Sequence, residues 1–567
     1  SGTVSTITGK VTGSGALQKK GSGTLILTSG NDYTGDTVLS EGKLQITSSG
    51  ALGTSGSLVL DGGVLQSAAD LDLGSRKVNI TGNNGTLDSA NKTTVGGSIS
   101  GDGQLIKSGS GTLTLTGENT FAGGVKIKEG TVEVSSDKAL GASTGKVIID
   151  GATLGIINAS GSSSNPVLSR EVELTDAGGT LSVGQGVDAT FTGKIIATNA
   201  PTSDLTKSGE GNLNFTADNS ALTADITVKA GTLGIGGGAV SADANLGQGL
   251  LTLDGGSLRA NADNMILTKS IVLNSQGGVN TNGKTNVVIS GQITGTGTFV
   301  KTGDGELVLT GDNKFAGGTQ IDKGELTISE HKNLGGVGTD ISLNGGTLKV
   351  TNDLTFGAAD GRQIQVSSAN GAINTNGHTV TISDEIKGDG GITKLGTGTL
   401  VLNQSMANDE LKGGFTVEDG VLAVSNDQSL GISSAALTLN GGTLKSNASM
   451  ALDRQVVLNS EGGVLDTSSN TVTINGKVTG AGGLSVNHGS VIINNTNNDY
   501  QGSTTINNAS VTIGSDASLG SSTANLILND SSLKGVNTNT TINRKVEIEG
   551  SSSGIVQNQN QGIFWKP

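Results

Sequence analysis

The sequence predicts an all-β fold, a right-handed parallel β-helix (β-solenoid) drawn out as an elongated rod. Three observations predict it. One run of residues recurs six times along the 567-residue chain. Between turns the apolar residues alternate with a period of two, and Gly, Asn, Asp or Ser interrupts them every few residues. No amphipathic helix of ordinary length occurs anywhere. Short strands repeated on this scale stack coil on coil and bury ladders of inward side chains.

The repeated run is clearest in its second copy, Lys107-Ser108-Gly109-Ser110-Gly111-Thr112-Leu113-Thr114-Leu115-Thr116-Gly117-Glu118-Asn119-Thr120-Phe121-Ala122-Gly123-Gly124. The first copy extends from Lys19 to Gly35 and the fourth from Lys301 to Gly318. The third, Lys207 to Leu222, is worn, and the fifth, Lys394 to Gly414, carries an insertion. The sixth, Asn487 to Gly502, has lost the lysine. Pairs such as Leu25/Leu27, Leu113/Leu115, Leu307/Leu309 and Leu400/Leu402 set the inward side of one strand.

The unit is longer than that run. Further strands follow, as in Val125 to Val134, then a Leu-Gly pair: Leu52-Gly53, Leu140-Gly141, Leu246-Gly247, Leu334-Gly335, Leu430-Gly431 and Leu519-Gly520. An Asp/Asn-Gly turn and a closing strand complete it. The positions Gly23, Gly111, Gly211, Gly305 and Gly398 recur at about 90–100 residues, so each unit holds several coils. Roughly 20–24 residues per coil give about 25 coils and a rod on the order of 120 Å. The expected organisation is a single β-helix of six repeats, at approximately 13–100, 101–200, 201–294, 295–387, 388–480 and 481–567. Ser5 to Gly13 matches the closing strand Thr473 to Gly480, so the chain reads as starting and ending inside a longer array.

Tyr33, Phe121, Phe315 and Tyr500 occupy one slot in different copies; Leu411 takes it in the fifth, and in the third it falls at Ala221, next to Leu222. Tyr, Phe and Leu exchange freely there, which favours a core ladder over a binding platform. Composition agrees. Aromatics are 2% of the chain, as a narrow core requires, and Pro occurs three times, at Pro166, Pro201 and Pro567, because stacked strands need nearly every amide. Cysteine is absent and the net charge is −14, which disfavours nucleic acid and acidic membranes as partners. No signal peptide opens the chain, no stretch would span a bilayer as a helix, and the aromatic girdles of a membrane barrel are missing.

The pattern Gly-x-Gly-Thr-Leu-x-Leu-x-Gly-x-Asn-x-Phe-x-Gly-Gly-x-x-Ile-x-x-Gly-x-Leu/Val-x-Val, best seen from Gly109 to Val134 and from Gly303 to Ile328, resembles the passenger-associated transport repeat, also called the autotransporter-associated β-strand repeat. The resemblance covers nearly the whole chain. It implies a β-helical passenger of a type V secretion system, threaded through the outer-membrane barrel of its own precursor. Such a passenger is displayed on the surface of a Gram-negative bacterium, anchored or released. Passengers of this kind are often adhesins or self-associating proteins, so the implied partner is a host-surface receptor or glycan, or a second copy of the chain.

Signals for chemistry are weak. Gly141-Ala142-Ser143-Thr144-Gly145 and Gly550-Ser551-Ser552-Ser553-Gly554 fit the hydrolase elbow, but no helix follows either. Gly335 to Asp340 begins like a calcium-binding nonapeptide, yet Ser342 stands where that pattern needs a large apolar residue. His331, His378 and His488 fall at unmatched phases, and the chain offers no Cys or His pair at metal-ligand spacing. Asp102, Asp304 and Asp389 lie in Gly-Asp-Gly turns, where turn geometry accounts for them. No catalytic, metal or cofactor residue is assigned, and the chain reads as a non-enzyme. Departures from the repeat, at Asn158 to Pro166, Gly236 to Asn245 and Met406 to Glu410, are where a grafted function would sit. The expectation is an adhesive or self-associating stalk; the alternatives are a β-helix polysaccharide lyase or hydrolase and a passive spacer for another domain.

Overall fold

The computed structural model describes residues 2–159, 165–197, 203–238, 240–357, 360–403, 407–536, 540–549, 555–558 and 561–564, the last two stretches as backbone. Ser160 to Ser164 of the first departure, Ala239, Met406 and the Gly550–Gly554 elbow lie outside the described residues, as does Trp565 to Pro567. The chain divides into two compact units, Ser1–Lys284 and Thr285–Pro567. Each is a parallel β-solenoid, and they hold about 24 turns in all.

In the first unit a ten-stranded sheet runs from Val4–Ile7 to Ile195–Ala197, each strand paired one coil on. The register step is as short as 19 residues (Thr24 to Lys43) and as long as 25 (Val147 to Val172) within that sheet. On a neighbouring face it reaches 27 (Thr153 to Thr180), in the coil that contains the Asn158–Pro166 departure. The alternation of β-branched and apolar residues explains the strands. Thr112–Leu115 pairs with Thr131–Val134, and that strand with Thr153–Ile156. Leu113, Val132 and Leu154 form one fully buried ladder, Leu115, Val134 and Ile156 the next.

In the second unit the sheet from Leu354–Phe356 to Gln561–Phe564 repeats the arrangement. Near its end two strands are unusually long, Gly463–Ile474 and Leu484–Ile493. The fifth repeat breaks at both places, around Asn376-Gly377 between Gly371–Asn374 and Thr379–Ile382, and around Gly396-Thr397-Gly398 between Ile392–Leu395 and Thr399–Leu402. In the two long strands Ser468 and His488 turn the corner in the left-handed backbone region, at φ 55° and 59°. The described ladders are parallel except Ile555–Asn558 with Gln561–Phe564.

Among the described residues, helical structure is confined to the Leu-Gly sites. Four-residue 3₁₀ turns, Ser49–Leu52, Asp137–Leu140, His331–Leu334, Asp427–Leu430 and Asp516–Leu519, end at the leucine, and in the third repeat a five-residue α-helix, Ala242–Leu246, replaces the turn. Every one of these leucines is fully buried. The glycine that follows needs to be glycine: Gly141 has φ 94°, and a Cβ there would lie 2.5 Å from the Phe121 carbonyl oxygen. Among the described residues no helix is long and apolar enough to cross a membrane.

Candidate functional site

The residues that define each repeat are buried polar groups that join one coil to the next. Lys107 stands in an otherwise apolar ladder, between Leu87 and Ile127. Its ammonium is fully buried and donates to the carbonyls of Ser108 (2.7 Å), Gly109 and, one coil on, Glu129 (3.3 Å). Lys207, Lys301 and Lys394 repeat the cage, each reaching a carbonyl of the next coil: Ala230 (2.9 Å), Lys323 (2.9 Å) and Asp419 (3.1 Å). Lys19 does the same with Glu41 at 3.2 Å. Burial pushes the four inner lysines, Lys107, Lys207, Lys301 and Lys394, down to about 8. The cage roof is a glycine of the next coil, since a Cβ on Gly42, Gly324 or Gly420 would lie 2.8 Å from the ammonium below.

An asparagine clamps three coils in every repeat. The Asn119 side chain accepts from the Ile99 amide of the preceding coil (2.8 Å) and donates to the Ala139 carbonyl of the following one (2.5 Å). Asn31, Asn219, Asn313, Asn408 and Asn498 are buried at the same place and accept from Val11, Ile195, Ile293, Ile386 and Val478 at 2.8–2.9 Å.

A cation then covers each Leu-Gly turn. The Arg454 guanidinium donates to the carbonyls of Leu430 (3.0 Å), Gly431 (2.9 Å) and Asp427 (2.6 Å) and to the Asp427 carboxylate (2.7 Å). Arg76, Arg170, Arg362 and Arg544 do the equivalent, and Lys269 reaches Gly247 in the third repeat (2.8 Å). Burial pushes the Asp137 carboxyl up, but Arg170 and Ser169 outweigh it and hold it below the usual carboxylate range.

The residues singled out from the sequence fall around these clamps. Tyr33, Phe121, Phe315 and Tyr500 are buried, and the two tyrosines bond the hydroxyls of Thr37 and Thr504 at 2.6 Å. Burial raises both phenols, Tyr500 to about 12. In the third copy Leu222, not Ala221, fills the slot; Ala221 is exposed. A turn from Asn219 to Leu222 adds one residue, and Asn408 to Leu411 does the same in the fifth copy. In the sixth copy the lysine position is Val486, between Leu465 and Ile506, rather than Asn487. Gly23, Gly111, Gly211 and Gly398 lie against the backbone of the preceding coil with no room for a Cβ; for Gly111 that backbone is Asn91. Gly305 lends its carbonyl as contact to the roof glycine Gly324.

The candidate chemical residues stand apart from one another. Asp304 and Asp389 are exposed and pair with Lys323 (2.8 Å) and Lys412 (2.6 Å). His331, His378 and His488 each face an aspartate, at 2.7, 3.6 and 3.1 Å. Ser143 lies in a turn that leads into the strand Val147–Ile149, not a helix. Among the described residues no group of three His, Cys, Asp or Glu could hold a metal ion.

What the coils offer outward is rows of polar groups. The Asp88 carboxylate receives Lys43 (2.9 Å) and Gln66 (3.0 Å) from the two coils before it. Lys349 binds Glu325 (2.9 Å) and Glu306 (3.3 Å), and Asn487, Asn507 and Asn529 form a ladder at 2.8 and 3.0 Å. One coil apart means about 4.8 Å, so such rows meet a partner with the same groups again and again.

Solenoid and clamps together define a β-helical repeat protein whose unit is recognised by its cage, asparagine and roof glycine. Residues 17–46, 105–134, 205–235, 299–328 and 392–424 match the passenger-associated-transport-repeat family, and each span contains all three features. Five copies of the repeated unit thus carry the passenger-associated transport repeat; the sixth copy, where Val486 replaces the lysine, lies outside the matches. It is 30% identical over 514 residues to the adhesin BmaC autotransporter of Brucella suis biovar 1 (strain 1330), which covers 79% of this chain and 14% of that protein. Two proteins of Escherichia coli (strain K12) are also similar. The uncharacterized lipoprotein YdeK is 25% identical over 63% of the chain, and the protein named "Probable autotransporter YfaL" is 33% identical over 31%. The chain spans 14–23% of the length of these curated relatives. No solved structure matches it.

Proposed function

We propose that the chain is the adhesive body of a passenger displayed on the surface of a Gram-negative bacterium. It would hold a host-surface receptor or glycan, or a second copy of itself, by contact rather than turnover. The observation that carries this reading is the similarity to a named adhesin over 79% of the chain. The outward rows supply the means. Each amide or carboxylate contact is weak, and repetition along the coils lets many of them add through effective concentration. A net charge of −14 steers the choice away from nucleic acid.

The test is display of this chain on a nonadherent bacterium, with cell settling and binding to host cells or glycan surfaces scored against empty display. Clumping or binding is the expected result. No gain, with surface display confirmed by antibody, would sink the adhesive reading and leave the repeats as a spacer.

A further inference from the structure

In five repeats the cation over the Leu-Gly turn has a carboxylate beside it. Asp137, Asp427 and Asp516, each three residues before the leucine, accept from the Nε of Arg170 (3.0 Å), Arg454 (2.7 Å) and Arg544 (2.8 Å). Asp243 has the same spacing in the third repeat and accepts from the Lys269 amide at 3.0 Å. In the fourth repeat His331 takes that position, and Asp360 supplies the carboxylate, 3.6 Å from the Arg362 Nε.

The first repeat breaks the rule. Ser49 stands three residues before Leu52. Arg76 still donates to the carbonyls of Gly53 (2.7 Å) and Gly56, but among the described residues it forms no ion pair. A cleft of about 620 Å³ opens at this point, lined by Arg76, Lys77 and the hydroxyl residues Ser49, Thr54, Ser55 and Ser57, with no Asp or Glu in its wall. Two cations, a ring of hydroxyls and a missing carboxylate make one pattern.

We propose that this cleft binds the oxyanion of an acidic sugar, a carboxylate or a sulfate, against the guanidinium edge that an aspartate faces in four other repeats. The cleft itself stands on the comparison of repeats; the sugar as its ligand rests on the adhesive reading above. Arg suits the role because its planar fork keeps further donors once the turn carbonyls are bound. The serine and threonine hydroxyls both donate and accept, as sugar hydroxyls require.

Calorimetric titration of the whole chain with glucuronate, with inorganic sulfate, with a sulfated oligosaccharide and with a neutral oligosaccharide tests this. Saturable binding of a charged probe, weakened by salt, with none of the neutral one, is expected. The uronate and sulfate arms show which oxyanion the site takes. Ser49→Asp places a carboxylate in the slot and should reduce affinity roughly tenfold or more while melting at or above the wild-type temperature; Arg76→Gln should also lose binding. Equal binding by wild type and Ser49→Asp, or no binding of any charged probe, overturns the proposal. Displayed cells separate the two ideas. If the chain adheres and Ser49→Asp adheres equally while losing the sugar, the cleft stands and the adhesive contact lies elsewhere. If charged sugars bind but nothing adheres, the cleft stands and the adhesive reading falls.

Discussion

Asn119 and Lys107 show how single side chains hold a solenoid together. Replacing Asn119 with Leu keeps the volume but orphans the Ile99 amide and the Ala139 carbonyl, both in buried surroundings. The cost should be on the order of 2–4 kcal/mol, read by urea denaturation. Lys107→Met likewise leaves carbonyls of two coils without a donor and should cost about 1–3 kcal/mol. Its effect should also depend on pH. Burial lowers Lys107 to about 8, whereas an unfolded lysine titrates near ~10.4. Between those values the unfolded chain keeps the proton and the folded chain releases it, so stability rises with pH across that window. Wild type should therefore gain more stability than Lys107→Met from pH 8 to 10; an equal gain would mean that the carbonyl cage holds the proton as firmly as water does. Both residues are visible in the repeated run. What the sequence could not show is that they point inward, because Lys and Asn are ordinarily surface residues and only the cage of backbone carbonyls makes their burial tolerable.

The Leu-Gly turn is the element that a cation caps in each repeat, and it was half legible. The leucine and glycine recur in all six copies and can be read directly. The capping cation cannot, because its distance from the glycine varies from 22 residues (Gly247 to Lys269) to 29 (Gly141 to Arg170) as the intervening loops change length. The same drift in length hid Leu222 behind Ala221 and placed the sixth lysine position at Asn487 instead of Val486. Loop length follows local turn chemistry, whereas the ladder fixes which residue faces the core. Arg454→Met should be among the costliest of the capping substitutions, together with Arg170→Met, because each removes six donated bonds and leaves a carboxylate, Asp427 or Asp137, beside an apolar side chain. A loss of about 3–5 kcal/mol is expected for Arg454→Met, against a smaller loss for Arg76→Met, since Arg76 is only partly buried and bonds two carbonyls. Thermal melts of the two variants side by side would decide it, and equal losses would show that the carboxylate adds nothing to the cap.

At the scale of the whole chain the fold class was open to reading because a stacked solenoid writes the same constraint into every coil: alternate apolar residues, few prolines, glycine where coils touch. Contacts run almost entirely between successive coils, so stability is a chain of nearest-neighbour links. A lesion should then act locally. In the second unit, Asn408→Ala cuts the bonds to Ile386 on one side and Ser429 on the other. Hydrogen exchange should speed up in the coils from Ile386 to Leu430, while the coils around Asn313 and Phe315 keep wild-type protection. Uniform acceleration throughout the unit would instead mean that it opens as one cooperative block. The distinction bears on adhesion as well. If coils open one at a time, a damaged repeat leaves the polar rows of its neighbours in register, and surface-displayed Asn408→Ala should keep most of its binding while an all-or-none unit would lose it together with its fold.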